Sequence, residues 1–88
     1  MQLQQAEKIL KALANRRRLE ILKFLKRGKR ASVGAIAKEI ALSFRATSKH
    51  LTILAGATLL DRKQISLSAF YKIAEDIPEF AKKLIEQI

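Results

Sequence analysis

The chain has 88 residues, a length that allows one small domain with a limited core. It contains no cysteine, which excludes disulfides and thiolate metal sites. The sequence shows no paired carboxylates, no nucleophile with a base and no Gly-rich phosphate loop, so we do not expect an enzyme. We find no signal peptide and no long apolar run, and we therefore expect a soluble cytoplasmic protein.

The basic residues are concentrated in the first part of the chain. The formal net charge is +10 at pH 7. Residues 1–50 contain 13 Lys or Arg and 3 acidic residues, whereas residues 51–88 contain 5 of each. All of the net charge therefore belongs to the first 50 residues. This distribution predicts a polyanionic partner without saying which one.

The chain begins with a pattern typical of two short helices. Apolar residues at helical spacing predict a first helix over about residues 3–13. A second helix is predicted over about residues 16–27, with Asn15 as its N-cap and Gly28 just after its end. Arg16 and Arg17 lie in its first turn, where the helix dipole disfavours cations. We interpret them as candidate contacts to phosphate groups.

Residues 32–54 predict a helix-turn-helix. One stripe of apolar residues runs through about residues 32–41 and another, which includes Phe44, through about residues 43–55. Ser32 and Ser43 are placed as N-caps, and almost no linker separates the two helices. In that geometry the outward face of the second helix can enter a DNA major groove. Its candidate base contacts are Arg45, Ala46, Ser48, Lys49 and Thr52, and Ser43 is a candidate phosphate contact.

The last segment carries a helical stripe. Apolar residues recur at alternating intervals of four and three from Phe70 to Ile88, which predicts a helix over about residues 69–88 with a kink at Pro78. Such a stripe packs either on the helices of its own domain or on a second copy of the chain.

Three motifs resemble a known family. "ALANRRRLEILKFL" (12–25) is similar to "ALADPTRLRILxxL", and "SVGAIAKEIALSFRATSKHLTIL" (32–54) is similar to "sVgELAexLgLSqstVSrHLxxL". "TLLDR" (58–62) lies where that family has "GLVxxR". The chain thus resembles the ArsR-type winged-helix transcriptional regulators of prokaryotes over more than half of its length. It departs from the family at residues 15–17, at Thr47, where the family has an apolar residue, and at Thr58, where it has glycine.

The resemblance implies a mainly α fold with a small β-hairpin, and a homodimeric repressor that binds specific sequences of double-stranded DNA. The two-fold symmetry of such a dimer would call for a palindromic site. The terminal helices would form the dimer interface through apolar residues, namely Leu3, Ala6, Leu10, Ile77, Phe80, Leu84 and Ile88. Some members of the family bind a metal ion through a Cys-x-Cys pair, whose positions are occupied by Ser32 and Gly34 here. Other members bind zinc through Asp and His on the last helix, and these ligands are also missing. We therefore expect no metal and no other cofactor.

The wing is ambiguous in the sequence. If the family pattern is aligned without a gap, Phe70–Ile73 forms the return strand and Ile65–Ser68 forms the tip of the hairpin. A tight turn favours Gly, Asn or Asp, and none of these is present in that tip. We favour the alternative, in which strands cover about residues 59–64 and 65–67 and Ser68 caps the final helix. This choice predicts a short or incomplete wing with Arg62 and Lys63 as its only DNA contacts.

Two other functions stay open at this point. A small basic RNA- or ribosome-associated protein would suit the pI of about 10.4, but the four Phe and one Tyr show no pattern of exposed stacking residues. A winged-helix module for protein interaction would need a mixed or apolar outward helix face, whereas Arg45, Ser48 and Lys49 are polar.

Overall fold

The structure is a computed structural model that describes residues 1–88. Five helices and three short strands follow one another along the chain. In order they are α1 (Leu3–Leu13), α2 (Arg16–Leu25), β1 (Ala31–Ser32), α3 (Val33–Glu39), α4 (Phe44–Gly56), β2 (Leu60–Ile65), β3 (Ser68–Ile73) and α5 (Glu79–Gln87).

The starts of α2, α3 and α4 are capped as the sequence predicts. Asn15 Oδ1, Ser32 Oγ and Ser43 Oγ each accept a hydrogen bond of 3.1 Å from the backbone N–H three residues further along the chain. Each bond satisfies one of the amides that a helix start leaves without a partner. The two serines therefore fix where both helices of the helix-turn-helix begin.

The ends of α3 and α4 adopt the same left-handed turn. Ala41 has φ 53° and Thr58 has φ 63°. The N–H of the next residue in each case bonds back to the helix, Leu42 to Ala37 O and Leu59 to Leu54 O, both at 3.0 Å. This is the pattern of a Schellman C-cap, which favours glycine at the left-handed position because a Cβ is disfavoured there.

We expect Thr58→Gly to raise the free energy of unfolding by about 0.5–1 kcal/mol. The substitution removes a β-branched side chain from a positive φ, and this gain exceeds the extra entropy of glycine in the unfolded chain. Thermal or urea unfolding measures the change. Ala55→Gly, which lies inside α4, is the control and should lower stability by about 1 kcal/mol; a loss of stability with Thr58→Gly would contradict the prediction.

The three strands form one antiparallel sheet in the order β1-β3-β2. In β3, Tyr71 pairs with Ala31 on one side and with Arg62 on the other. Tyr71 is buried, so the face of the sheet that carries it packs on the helices. The mainly α fold with a small β-hairpin is confirmed, and β1 is a strand that the sequence did not reveal.

The predicted helix over residues 69–88 is wrong in its first half. Residues 68–73 form β3, which pairs with β2 from Ile65↔Ser68 to Leu60↔Ile73, so the wing is an ordered hairpin and the ungapped alternative is the correct one. Ser66 supplies the positive φ of the two-residue turn, at 55°, without a glycine. The backbone groups of β3 bond to strands on both sides, and this pairing outweighs the coincidental helical spacing of its apolar residues.

The last helix packs one side on the domain. It begins at Glu79, directly after Pro78, and buries Ala81 and Ile85 in the core. The rest of the core comes from all the other elements, and its fully buried large side chains are Ile9, Ile21, Leu22, Leu25, Ile36, Leu51, Leu54 and Leu59. The helix-turn-helix therefore rests on a single core that α1, α2 and α5 complete.

Thr47 is the one buried polar side chain of this core. It is fully buried, and its hydroxyl has no hydrogen-bond partner. A buried hydroxyl without a partner costs free energy because it has lost its bonds to water. The residue that the family places here, an apolar one, would not carry this cost.

Thr47→Val should therefore raise the free energy of unfolding by about 1–2 kcal/mol, since it keeps the shape of the side chain and removes the unpaired hydroxyl. Thr52→Val is the matched control, because Thr52 is exposed and its hydroxyl donates to Ser48 O at 3.0 Å. We expect little change there. Destabilisation by Thr47→Val in urea unfolding would show that the hydroxyl has a partner in solution.

Candidate nucleic-acid interface

The outward face of α4 carries the candidate base contacts. Arg45, Lys49 and Thr52 are exposed, and Ala46 and Ser48 are half-buried. The opposite face of the helix holds the buried residues Thr47, Leu51 and Leu54. Because Arg45 and Lys49 are exposed and take part in no ion pair, these two cations are free to reach a ligand.

Phe44 was expected in the buried stripe of α4, and this expectation is wrong. Its side chain is 63% exposed. It is the first residue of α4 and lies at the rim of a cleft of about 530 Å³ between the helix-turn-helix and the wing. Ser48 and Thr52 of α4 and Arg62 of the wing line the same cleft. The structure thus brings predicted contacts from both elements together and adds an aromatic ring to them.

The two basic residues of β2 point to different sides of the sheet. Arg62 pairs with Tyr71, on the face towards the cleft, and its Nη2 donates to Gln64 Oε1 at 2.7 Å. Lys63 pairs with Phe70 and is exposed on the other face. Leu67 at the tip is 97% exposed. The two candidate cations of the wing therefore lie on opposite faces of the sheet, and its tip is apolar.

Arg16 and Arg17 differ in their surroundings. The Arg16 side chain is 92% exposed, and its nearest acidic atom, Glu20 Oε2, is 3.9 Å away. Arg17 Nη1 donates to Ile40 O at 2.6 Å and to Glu20 Oε1 at 3.1 Å. Arg16 is therefore available to a phosphate, whereas Arg17 joins α2 to the C-terminal end of α3.

Arg18 joins three helices. Its Nε donates to Ala12 O at 2.7 Å and its Nη2 to Lys11 O at 3.2 Å, at the C-terminal end of α1. Its Nη1 lies 3.3 Å from Nδ1 of His50 in α4. Because a guanidinium can only donate, His50 accepts through Nδ1 and is neutral in this arrangement. His50 thus has a structural contact, and it is one that positions α4 against α1 and α2.

The pKa of His50 is lowered from its ordinary value of 6.5, first by burial and then by the positive charges of Arg18 and Arg17. The folded protein therefore binds this proton more weakly than the unfolded chain does. As the pH falls below about 6.5, the unfolded state takes up more protons, and the free energy of unfolding decreases.

We expect this stability contribution to be complete above about pH 6.5 and to be lost as the pH falls towards the lowered pKa. His50→Gln removes the titrating group, so the variant should lose less stability than the wild type between about pH 7.5 and 5.5. Urea unfolding across this range compares the two proteins. Parallel curves would contradict the assignment.

The candidate dimer residues fall into two groups. Leu3, Leu10, Phe80 and Leu84 are exposed. Ala6, Ile77 and Ile88 are half-buried, and the two isoleucines pack against the core of their own domain. Leu3, Ala6 and Leu10 also line a shallow apolar groove of about 420 Å³ along α1. The stripe of the last helix is thus divided between the core and the surface.

The structure holds no group of three or more His, Asp or Glu side chains placed to bind one metal ion. None of its helices has the length and apolar character needed to span a bilayer.

A family model described as "Bacterial regulatory protein, arsR family" matches residues 15–62. The chain is also similar to the HTH-type transcriptional regulator Rv0324 of Mycobacterium tuberculosis, with 38% identity over 76 residues. That alignment covers 85% of this chain and 33% of the relative, so the chain spans about a third of the length of this curated relative.

Solved structures give the same result over nearly the whole chain. HlyU from Vibrio cholerae matches with a TM-score of 0.81 and 32% identity, over 99% of this chain and 92% of that one. The homodimeric winged helix-turn-helix DNA-binding domain of Mb0332 from Mycobacterium bovis matches with a TM-score of 0.82 and 30% identity, over 97% and 75%. The transcriptional repressor PagR of Bacillus anthracis matches with a TM-score of 0.77 and 26% identity, over 97% and 93%. The chain therefore belongs to the ArsR family of bacterial regulatory proteins, which are winged helix-turn-helix transcriptional regulators and not enzymes.

Proposed function

We propose that this protein is a cytoplasmic repressor that binds double-stranded DNA in a sequence-specific manner, as a homodimer and without a metal cofactor. The observation that carries the proposal is the free cationic face at the start of α4, where Arg45 and Lys49 are exposed. An α-helix fits the major groove, and its N-terminal residues are the ones that reach base edges there.

Each side chain on this face suits a different contact. Arg45 can donate two hydrogen bonds to a guanine, and the exposed ring of Phe44 can contact a thymine methyl group. Ser48 can bond to either kind of base. Lys49, Arg16 and the wing cations are candidates for backbone phosphates, which supply affinity with little base preference. Ser43 already caps α4 and would offer its hydroxyl or amide to a phosphate.

The exposed apolar residues of α1 and α5 support a homodimer. An apolar groove with Leu3 and Leu10 at the surface is costly in water and is removed by a second copy. The similar domain of Mb0332 is described as homodimeric. A two-fold axis would place two copies of α4 about 34 Å apart along the duplex, which calls for a palindromic site. The repressor role is proposed by analogy with PagR, which is described as a transcriptional repressor.

RNA binding is the second candidate, because the charge of +10 would serve any polyanion. Single-stranded RNA is bound by several aromatic rings that stack on bases. Here Phe44 and Phe80 are the exposed aromatic residues, and they lie on α4 and α5. Two exposed rings on different helices do not make a stacking surface for single-stranded RNA. Because an α-helix such as α4 fits the major groove, we favour duplex DNA.

Selection of bound sequences from a random pool of duplexes tests the proposal. We expect a palindromic consensus with half-sites about one helical turn apart. Competition with single-stranded RNA of the same length should release little of the bound duplex. Enrichment of no sequence, or displacement by RNA at equal concentration, would contradict the proposed function.

A further inference from the structure

A second cationic surface lies outside the recognition helix. It is an open cleft of about 780 Å³ between α2 and the end of α3. We call it the basic cleft and define it by the four cations that line it, Lys23, Lys26, Arg27 and Lys29. Lys23, Arg27 and Lys29 are exposed, and Lys26 is half-buried.

The charges of the basic cleft are not neutralised within the protein. None of its four cations takes part in any of the ion pairs, which join other residues. Two acids also line the cleft, but Glu20 is occupied by Arg17 at 3.1 Å, which leaves Glu39 alone. Lys29 Nζ lies 4.3 Å from the centre of the Phe24 ring, a contact that holds the ammonium group at the surface. Four cations within seven residues repel one another, so an anion there is stabilised.

The basic cleft adjoins the proposed DNA-binding surface. Ile40 and Ala41 form part of its wall, and Ser43, which caps α4, follows two residues after Ala41. The hydrogen bond from Arg17 to Ile40 O, at 2.6 Å, fixes this wall to α2. A sugar-phosphate backbone that contacts the start of α4 can therefore extend across the cleft without a conformational change of the protein.

On the basis of the DNA binding proposed above, we propose that the basic cleft binds backbone phosphates of the duplex that flanks the recognised half-site. The occupant is the same DNA molecule, because the cleft adjoins the start of α4 and its four cations have no ion pair within the protein. The cleft adds affinity that depends on the length of the duplex and on salt, but not on the flanking sequence.

The experiment uses two duplexes that share one selected site. One ends at the edges of the site, and the other extends about ten base pairs, one helical turn, beyond each edge. The test variant is Lys23→Gln/Arg27→Gln/Lys29→Gln. The matched control is Lys8→Gln/Lys82→Gln/Lys83→Gln, which removes the same charge from exposed positions on α1 and α5. Affinity is measured against salt concentration for all three proteins, after their unfolding curves have been compared.

For the wild type and the control, we expect the longer duplex to bind more tightly and with a steeper salt dependence. The test variant should lose this extra steepness, by about two to three units of the log–log slope per protomer, while it binds the short duplex as the wild type does. Equal slopes for the wild type and the test variant on the long duplex would overturn the inference alone. Failure of the wild type to bind either duplex would overturn the proposed function and this inference with it.

Discussion

Leu10→Glu is expected to turn the dimer into a monomer and to lower the affinity for a palindromic duplex by at least about a hundredfold. Leu10 is 55% exposed on the apolar groove of α1. In the isolated domain the new carboxylate is solvated, so folding is preserved. In the dimer it would be buried without a partner, which opposes association. Sedimentation at micromolar concentration, together with titration of a labelled duplex, measures both effects.

Gln5→Glu is the matched control, because it places the same charge on another side of α1, at an exposed position beside Thr58. We expect a dimer with unchanged DNA affinity. If Leu10→Glu stayed dimeric, or bound the palindrome as tightly as the wild type, the two terminal helices would not form the interface.

Arg18→Ala should lower the free energy of unfolding by about 2–3 kcal/mol. The guanidinium bonds to two carbonyl groups at the end of α1, Lys11 O and Ala12 O, and to His50 in α4. The substitution leaves the carbonyl groups at the end of the helix without this partner and removes a cation that the negative end of the dipole favours. For a domain of this size we expect a decrease of roughly 10 °C or more in Tm.

Two variants separate this effect from a general loss of charge. Arg16→Ala removes an exposed cation and should change stability by less than about 0.5 kcal/mol. Arg18→Lys keeps the charge but lacks the planar fork, so it should recover only part of the loss. Equal stability of Arg18→Ala and Arg16→Ala would show that the contacts of Arg18 are unimportant in solution.

The helix-turn-helix could be predicted from the sequence because its signals are local. Asn15, Ser32 and Ser43 cap the helices that they precede, and Gly28 has the left-handed φ, 73°, that its place after α2 suggested. A cap depends on residues within one turn of the chain, so composition and spacing reveal it.

The wing could not be predicted in the same way. The strand β3 is held by pairing with β1, which lies about forty residues earlier, and with β2, and neither pairing leaves a local signal. The turn at Ser66 uses a positive φ without glycine or asparagine, so the strongest hairpin signal is missing.

Phe44 shows a different limit of the sequence. Helical spacing assigned it to the buried stripe, yet its side chain is 63% exposed, whereas Thr47, about one turn further along the helix, is fully buried. A periodic pattern gives the side of a helix but not how far its neighbours reach along it. The same limit applies to the basic cleft, since only the packing of α2 on α3 brings Lys23, Lys26 and Arg27 beside Ile40 and Ala41.

The most direct test of sequence-specific DNA binding is the affinity ratio between the selected duplex and a scrambled duplex, measured by fluorescence anisotropy at fixed salt for the wild type and Arg45→Ala. We expect a large ratio for the wild type and a decrease of about 5- to 150-fold for Arg45→Ala, from the loss of about 1–3 kcal/mol at one base pair. Lys83→Ala, an exposed cation on α5, should keep the wild-type ratio. An unchanged ratio in Arg45→Ala would contradict the assignment of α4 as the recognition helix.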